Sequence, residues 1–104
     1  MIFDHHQFAR RLVHTILHDG DLFDIERLLR KSSRININLN RVHHNGQSLV
    51  QLCCLHNRLD LLKLFVEYGD CDILVMNADG WLPIHIAVYL GHTSIALYLL
   101  KFRP

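Results

Sequence analysis

No stretch of this 104-residue chain is apolar for the roughly 20 residues that a membrane-spanning helix requires, so no helical membrane anchor is expected within it. Nor does one sign of charge dominate. Eleven Lys and Arg stand against ten Asp and Glu, and Arg10, Arg11, Arg27, Arg30, Lys31 and Arg34 form no continuous basic stripe. Without such a stripe there is little to neutralise a phosphate backbone, and direct nucleic-acid binding is not expected. Cysteine is scarce and odd in number: Cys53, Cys54 and Cys71. Two adjacent cysteines and one distant one make no disulfide framework, so reduced thiols are expected. The opening "MIFDHHQFARR" carries Asp4 and two histidines instead of the basic, apolar and small-residue order of a secretory signal. An intracellular protein, in nucleus or cytoplasm, is the expectation. A glycine-rich loop able to cradle phosphates is also missing.

Present instead are apolar residues in quantity, half of the chain, and nine histidines, whose protonation below about pH 6.5 would make the chain distinctly cationic. The apolar residues are densest in "DGWLPIHIAVYLGHTSIALYLL" (79–100), and that stretch repeats an earlier one. Laid under "NGQSLVQLCCLHNRLDLLKLFV" (45–66) at an offset of 34 positions, Gly46 falls on Gly80, Val50 on Ile84, Cys53 on Ala87, Asn57 on Gly91 and Leu61 on Ile95. A more diverged copy, "FARRLVHTILHDGDLFDIERLL" (8–29), puts Val13, Ile16, Leu17, Gly20, Ile25, Leu28 and Leu29 in the corresponding places. A fixed period of this size is the mark of a repeat architecture.

Each copy reads as two short helices. Ile84, Ala87 and Val88 recur at i, i+3 and i+4, as do Ile95, Leu99 and their neighbours Ala96 and Leu100. Gly91, Asn57 and Gly20 fall at the break between the helices, where a left-handed residue ends a helix and Gly or Asn tolerates that conformation. Pro83 suits a first helical turn, and "SLVQ" (48–51) has the pattern of a capping box. Leu82 occupies the place of Ser48 and cannot cap, a loss of about 1 kcal/mol. The segments 31–45 and 69–79 read as extended loops with turn-like tips, the first longer and expected to project further. The chain is thus expected to be one all-α domain over 1–104, with units at about 8–30, 45–67 and 79–101.

The period and the residues Gly80, Pro83, His85, Ala87, Gly91 and His92 of "DGWLPIHIAVYLGH" resemble the ankyrin repeat, whose signature is of the T-P-L-H-x-A type. The departures are Leu82 for Thr, Gln51 for His and Cys53-Cys54 for Ala-Ala. The resemblance implies a solenoid of three stacked helix-turn-helix units joined by finger loops, acting in protein–protein interaction without catalysis. Within it, the "DGW" opening of the last unit and "IHIA" (84–87) are similar to the family of Notch-regulated ankyrin-repeat proteins. That similarity implies a regulator that joins the Notch intracellular domain and its DNA-bound transcription factor by extending an ankyrin stack. The same "DGW" occurs in targeting subunits of protein phosphatases, the alternative reading. An RVxF-type docking segment would support it, but "RVHH" (41–44) lacks the aromatic.

Candidate chemistry is sparse. Asp4, Asp19, Asp21 and Asp24 cluster loosely without a desolvated site to separate their pKa values, and read as solvated helix ends. Cys53, Cys54, His56, His43 and His44 are ligand types without metal spacing, and the cysteines fall on core alanine positions, so neither metal nor cofactor is expected. By the family pattern, His85 is expected to bond within the turn network and His92 to help begin the second helix. Stacking should use Ile84, Ala87, Val88, Ile95, Ala96, Leu99 and Leu100. The apolar residues left over, Trp81, Ile86, Tyr89, Leu90, Leu97 and Tyr98, are the candidate partner-binding set. A terminal unit normally shows a polar outer face, yet here Leu97, Tyr98 and Phe102 replace it. The expectation is that a partner's ankyrin repeat covers that end; the alternatives are a second copy in an end-to-end pair, or a further repeat of a longer array of which this chain is a fragment.

Overall fold

The computed structural model describes residues 4–18, 20–34 and 37–102. Among them lie six α-helices in three antiparallel pairs: α1 (His5–Leu17) with α2 (Leu22–Arg34), α3 (Leu49–Leu55) with α4 (Leu59–Glu67), and α5 (Pro83–Leu90) with α6 (Thr93–Leu100). Helix α3 packs between α1 and α5, and α4 packs on α2, so the pairs form three layers. The all-α repeat architecture expected from the periodicity is the one observed.

Local chemistry explains each helix. The Asp4 carboxylate accepts the Gln7 N–H at 3.1 Å and caps α1, while Phe8, Leu12, Val13 and Ile16 bury one face of it. In α2, Ile25, Leu28 and Leu29 are buried, and the exposed pairs Asp24–Arg27 (2.6 Å) and Glu26–Arg30 (2.9 Å) add a few tenths of a kcal/mol each. Helix α3 is buried on nearly every side, as the middle layer must be, and the capping box is formed in full: Ser48 Oγ accepts Gln51 N–H at 3.2 Å, and Gln51 Oε1 accepts Ser48 N–H at 2.6 Å.

The turns between paired helices correct one expectation. Asn57 (φ 55°) and Gly91 (φ 75°) are left-handed, but Gly20 is not their counterpart. The bond that closes the turn, from an N–H to the carbonyl five residues back, comes from His92 (to Ala87, 2.8 Å), Arg58 (to Cys53, 2.9 Å) and Gly20 (to Thr15, 2.8 Å). Gly20 is therefore the counterpart of Arg58 and His92, one place later than the sequence alignment puts it. Glycine is needed there for room: a Cβ would collide with Thr15 Cγ2 and stand 2.9 Å from its Cα.

The loop between α2 and α3 spends part of its extra length on a 3-10 turn (Leu39–Arg41) that buries Leu39. It then forms a two-residue hairpin, β1 (His43–His44) antiparallel to β2 (Gln47–Ser48), with His43 opposite Ser48. Ile35 and Asn36 of this loop lie outside the described residues. The second loop ends in a turn held by Asn77, whose Oδ1 accepts the N–H groups of Asp79 (3.0 Å) and Trp81 (2.9 Å). It docks on the first finger through Ala78 N–H to Gly46 O (3.2 Å) and Asn77 Nδ2 to Gln47 Oε1 (3.1 Å).

Candidate functional site: the uncovered end of the stack

The layers are tied by a repeated set of polar links. Gln51 is buried, and its Nε2 donates to Val75 O in the following loop at 2.7 Å. Arg58 Nη2 donates to the Gly20 carbonyl of the first turn at 3.1 Å, and His92 Nδ1 lies 2.8 Å from the Cys54 carbonyl. A carbonyl only accepts, so His92 carries its proton on Nδ1. His92 is the N-cap of α6 but makes no side-chain cap bond; its ring reaches back to the middle layer instead. His85 does for α5 half of what Gln51 does for α3: its Nδ1 accepts Leu82 N–H at 3.2 Å, and Leu82, lacking an acceptor, leaves the other half unmade. The rest of the His85 ring is exposed.

The same comparison exposes the end face. Val50 and Cys54 are buried between the second and third layers, whereas their counterparts in the last layer are half-buried Ile84 and 64% exposed Val88. With Ile73, Leu74, Leu82, Leu99, Leu100 and Phe102, Ile84 lines an apolar groove of about 290 Å³ at that end. In the same layer Trp81 and Tyr89 form an edge-to-face pair, ring centroids 5.2 Å apart and planes at 82°, with Tyr89 75% exposed. Leu90 and Leu97 are also exposed.

Two of the six candidate residues are not at the surface. Ile86 is 4% exposed and faces the core with Pro83 and Ala87. Tyr98 is 7% exposed, its ring 5.7 Å beneath Lys63 Nζ and 5.1 Å from Phe102. Conversely, Val88 and Leu100, assigned to stacking from sequence, are exposed. The physical reason is that each layer has two apolar faces, one toward the preceding layer and one toward the next, and only the first is covered in the last layer. Periodicity reports both faces alike. The groove residues Ile73 and Leu74 were missed, though the apolar run "ILVM" (73–76) inside a polar loop was a signal for them.

Neither a reactive thiol nor a cluster of metal-ligand side chains is found among the described residues. Burial pushes the Cys54 and Cys71 thiols up to about 12, and burial, reinforced by the neighbouring Cys54, raises Cys53 well above its usual value. These are thiols packed as small apolar groups, not thiolates. No group of three or more His, Cys, Asp or Glu is arranged among the described residues to hold a metal. Asp4 caps α1, Asp21 accepts the Phe23 N–H at 2.9 Å and Asp24 pairs with Arg27, so these carboxylates serve helix ends and surface pairing; Asp19 lies outside the described residues.

A protein-family model described as ankyrin repeats, in three copies, matches residues 5–103. The Notch-regulated ankyrin repeat-containing protein of Xenopus tropicalis is 33% identical over 92 residues, covering 88% of this chain and 80% of its own length, and the Homo sapiens protein of that name is 32% identical over the same span. Protein phosphatase 1 regulatory subunit 27 of Homo sapiens is 33% identical over 85 residues, 82% of this chain and 53% of that protein. Among solved structures, a chain from the yeast ribosomal protein Rps3 in complex with its chaperone Yar1 superposes with a TM-score of 0.71 at 24% identity, covering 79% of this chain and 59% of that one.

Proposed function

From the premise that this chain belongs to the ankyrin-repeat family, a family of protein-interaction modules, we propose that it is a non-catalytic regulator whose last layer extends a partner's ankyrin stack. The partner we infer is the Notch intracellular domain with its DNA-bound transcription factor, in nucleus or cytoplasm. The name and similarity of the Notch-regulated relatives support this choice. The observation that carries the mechanism is the pair of stacking positions in the last layer that stay apolar while uncovered, Ile84 and Val88. A neighbouring layer would cover Val88 as the third layer covers Cys54, and a carbonyl from its finger would meet the exposed His85 ring as Val75 meets Gln51. Trp81, Tyr89, Leu90 and Leu97 would border that contact and supply rigid area at low entropic cost.

The test is a pull-down of the chain with a Notch intracellular domain, comparing wild type with Val88→Glu and Trp81→Glu. Placing a carboxylate against an apolar layer should weaken binding by at least about tenfold for Val88→Glu. Unchanged capture would remove the end face from the interface. If the chain alone forms a concentration-dependent dimer that Val88→Glu breaks, the face belongs to self-pairing instead. The phosphatase reading has the similarity to regulatory subunit 27 in its favour. Its docking motif is still incomplete, since Arg41-Val42 leads into His43 and His44 of the hairpin.

A further inference from the structure

The opposite end of the stack carries a surface of different chemistry. Two adjoining cavities of about 600 and 380 Å³ share His6, Ala9 and His43 and form one groove between α1 and the first finger. Helix α1 contributes His6, Arg10 and His14 to it, and His18 just after its end; the finger contributes Arg41, His43 and His44. Among the described lining residues there is no Asp or Glu. Six of the nine histidines of the chain, His5 among them, thus line this groove with the guanidinium groups of Arg10 and Arg41, and all but half-buried His44 are exposed.

We propose that this groove binds an acidic, extended protein segment, and that binding is coupled to proton uptake by the groove histidines. From His6 to His18 the helix runs about 18 Å, which matches an extended peptide of about five or six residues. A peptide lying along it presents carboxylates in turn to α1 and to the finger. His43 is already oriented, its Nδ1 3.1 Å from the Arg41 carbonyl, which leaves Nε2 for a ligand. The rings of His14 and His18 lie tilted against each other with centroids 4.2 Å apart, and a carboxylate placed beside that pair favours the charged form of an imidazole. Ligand and protons therefore favour one another, and the linkage is reciprocal.

The charged groups around these histidines agree with that assignment. On the finger side the neighbours are His5 and Arg41, with the Asn45 amide 3.3 Å from His44 Nε2. On the α2 side, Asp4, Arg11 and Asp24 approach His6, Arg10 and His14, but the Asp4 carboxylate caps α1 and Asp24 is paired with Arg27. Nucleic acid is the weaker fit, because only Arg10 and Arg41 in the groove are charged at every pH and two phosphate contacts do not hold a polyanion at physiological salt.

The experiment is fluorescence anisotropy of the full chain with a labelled peptide of about six consecutive glutamates, at pH of about 7.5 and about 6.0. The probes set beside it are the matching glutamine peptide and a single-stranded oligonucleotide of equal charge. The expected result is glutamate binding roughly tenfold tighter at the lower pH, the effect of taking up about one proton, with the glutamine peptide weak at both. The double substitution His14→Gln, His43→Gln should flatten the pH response, and Arg10→Gln should weaken binding equally at both values. A pH-independent affinity, equal binding of the glutamine peptide or the oligonucleotide, or an undiminished response in the double variant would overturn the proposal. The wild-type comparison of probes and pH decides it even where a variant folds poorly.

Discussion

The link between His92 Nδ1 and the Cys54 carbonyl, 2.8 Å long, gives a sharp test of how the last layer is held. Cys54 lies in the final turn of α3, where a carbonyl has no partner within the helix. His92→Ala removes the donor and leaves that acceptor unpaired in a half-buried site, a cost of about 1–2 kcal/mol. For a chain of this size that lowers Tm by about 5–10 °C. Thermal melts by circular dichroism give the size of the effect, and His92→Asn supplies the control, since an Asn amide can place an N–H near the position of Nδ1 and should recover part of the loss. Layered repeats couple only to their neighbours, so the loss should be local as well. Hydrogen exchange should accelerate in α5 and α6 well before α1 and α2. A loss below about 0.3 kcal/mol, within the scatter of such measurements, or equal acceleration in all six helices, would refute the reasoning.

The two glycines at the helix-pair turns should fail differently. Gly91→Asn should be nearly neutral, because only the left-handed backbone matters there and no atom lies within 4 Å of a Cβ, whereas Gly20→Asn should cost about 1–3 kcal/mol by pressing on Thr15, as read from urea unfolding midpoints. Gln51→Ala should cost about 2–3 kcal/mol, since it breaks the bonds to Ser48 N–H and Val75 O and opens a buried space, while Gln51→His, which can accept from Ser48 as His85 accepts from Leu82, should keep most of the stability in the same assay.

What was legible in the sequence is what local chemistry determines. The capping box of Ser48 and Gln51, Pro83 in the first turn of α5 and the left-handed Asn57 and Gly91 depend on residues within one turn of themselves, and all are found as expected. Gly20 was misplaced because its reason for being glycine is the side chain of Thr15, five residues away, which alignment to Asn57 does not reveal. Burial in the last layer was misread for a different cause. Ile86 and Val88 are both large and apolar, and which of them is covered depends on the layer on each side, information that resides in the stack and not in the helix.

Energetics join the end face to the proposed partner. In the middle layer, Val50, Cys53 and Cys54 are all buried; of their counterparts in the last layer, Ile84, Ala87 and Val88, only Ala87 is. The α5–α6 pair therefore rests on one covered face and a short set of polar links, so it has less holding it than α3–α4 has. Three repeats are about the minimum for a stable stack, which leaves little reserve. A partner that covers Val88 and Leu100 and is present at 100 times its Kd adds about 2.7 kcal/mol to the folded state by mass action alone. That exceeds what the His92 link is expected to contribute, so the order of the last layer should follow occupancy of its face more than its own internal bonds. On the proposed reading, the apolar surplus at this end is the part of the chain whose stability a covering partner would complete.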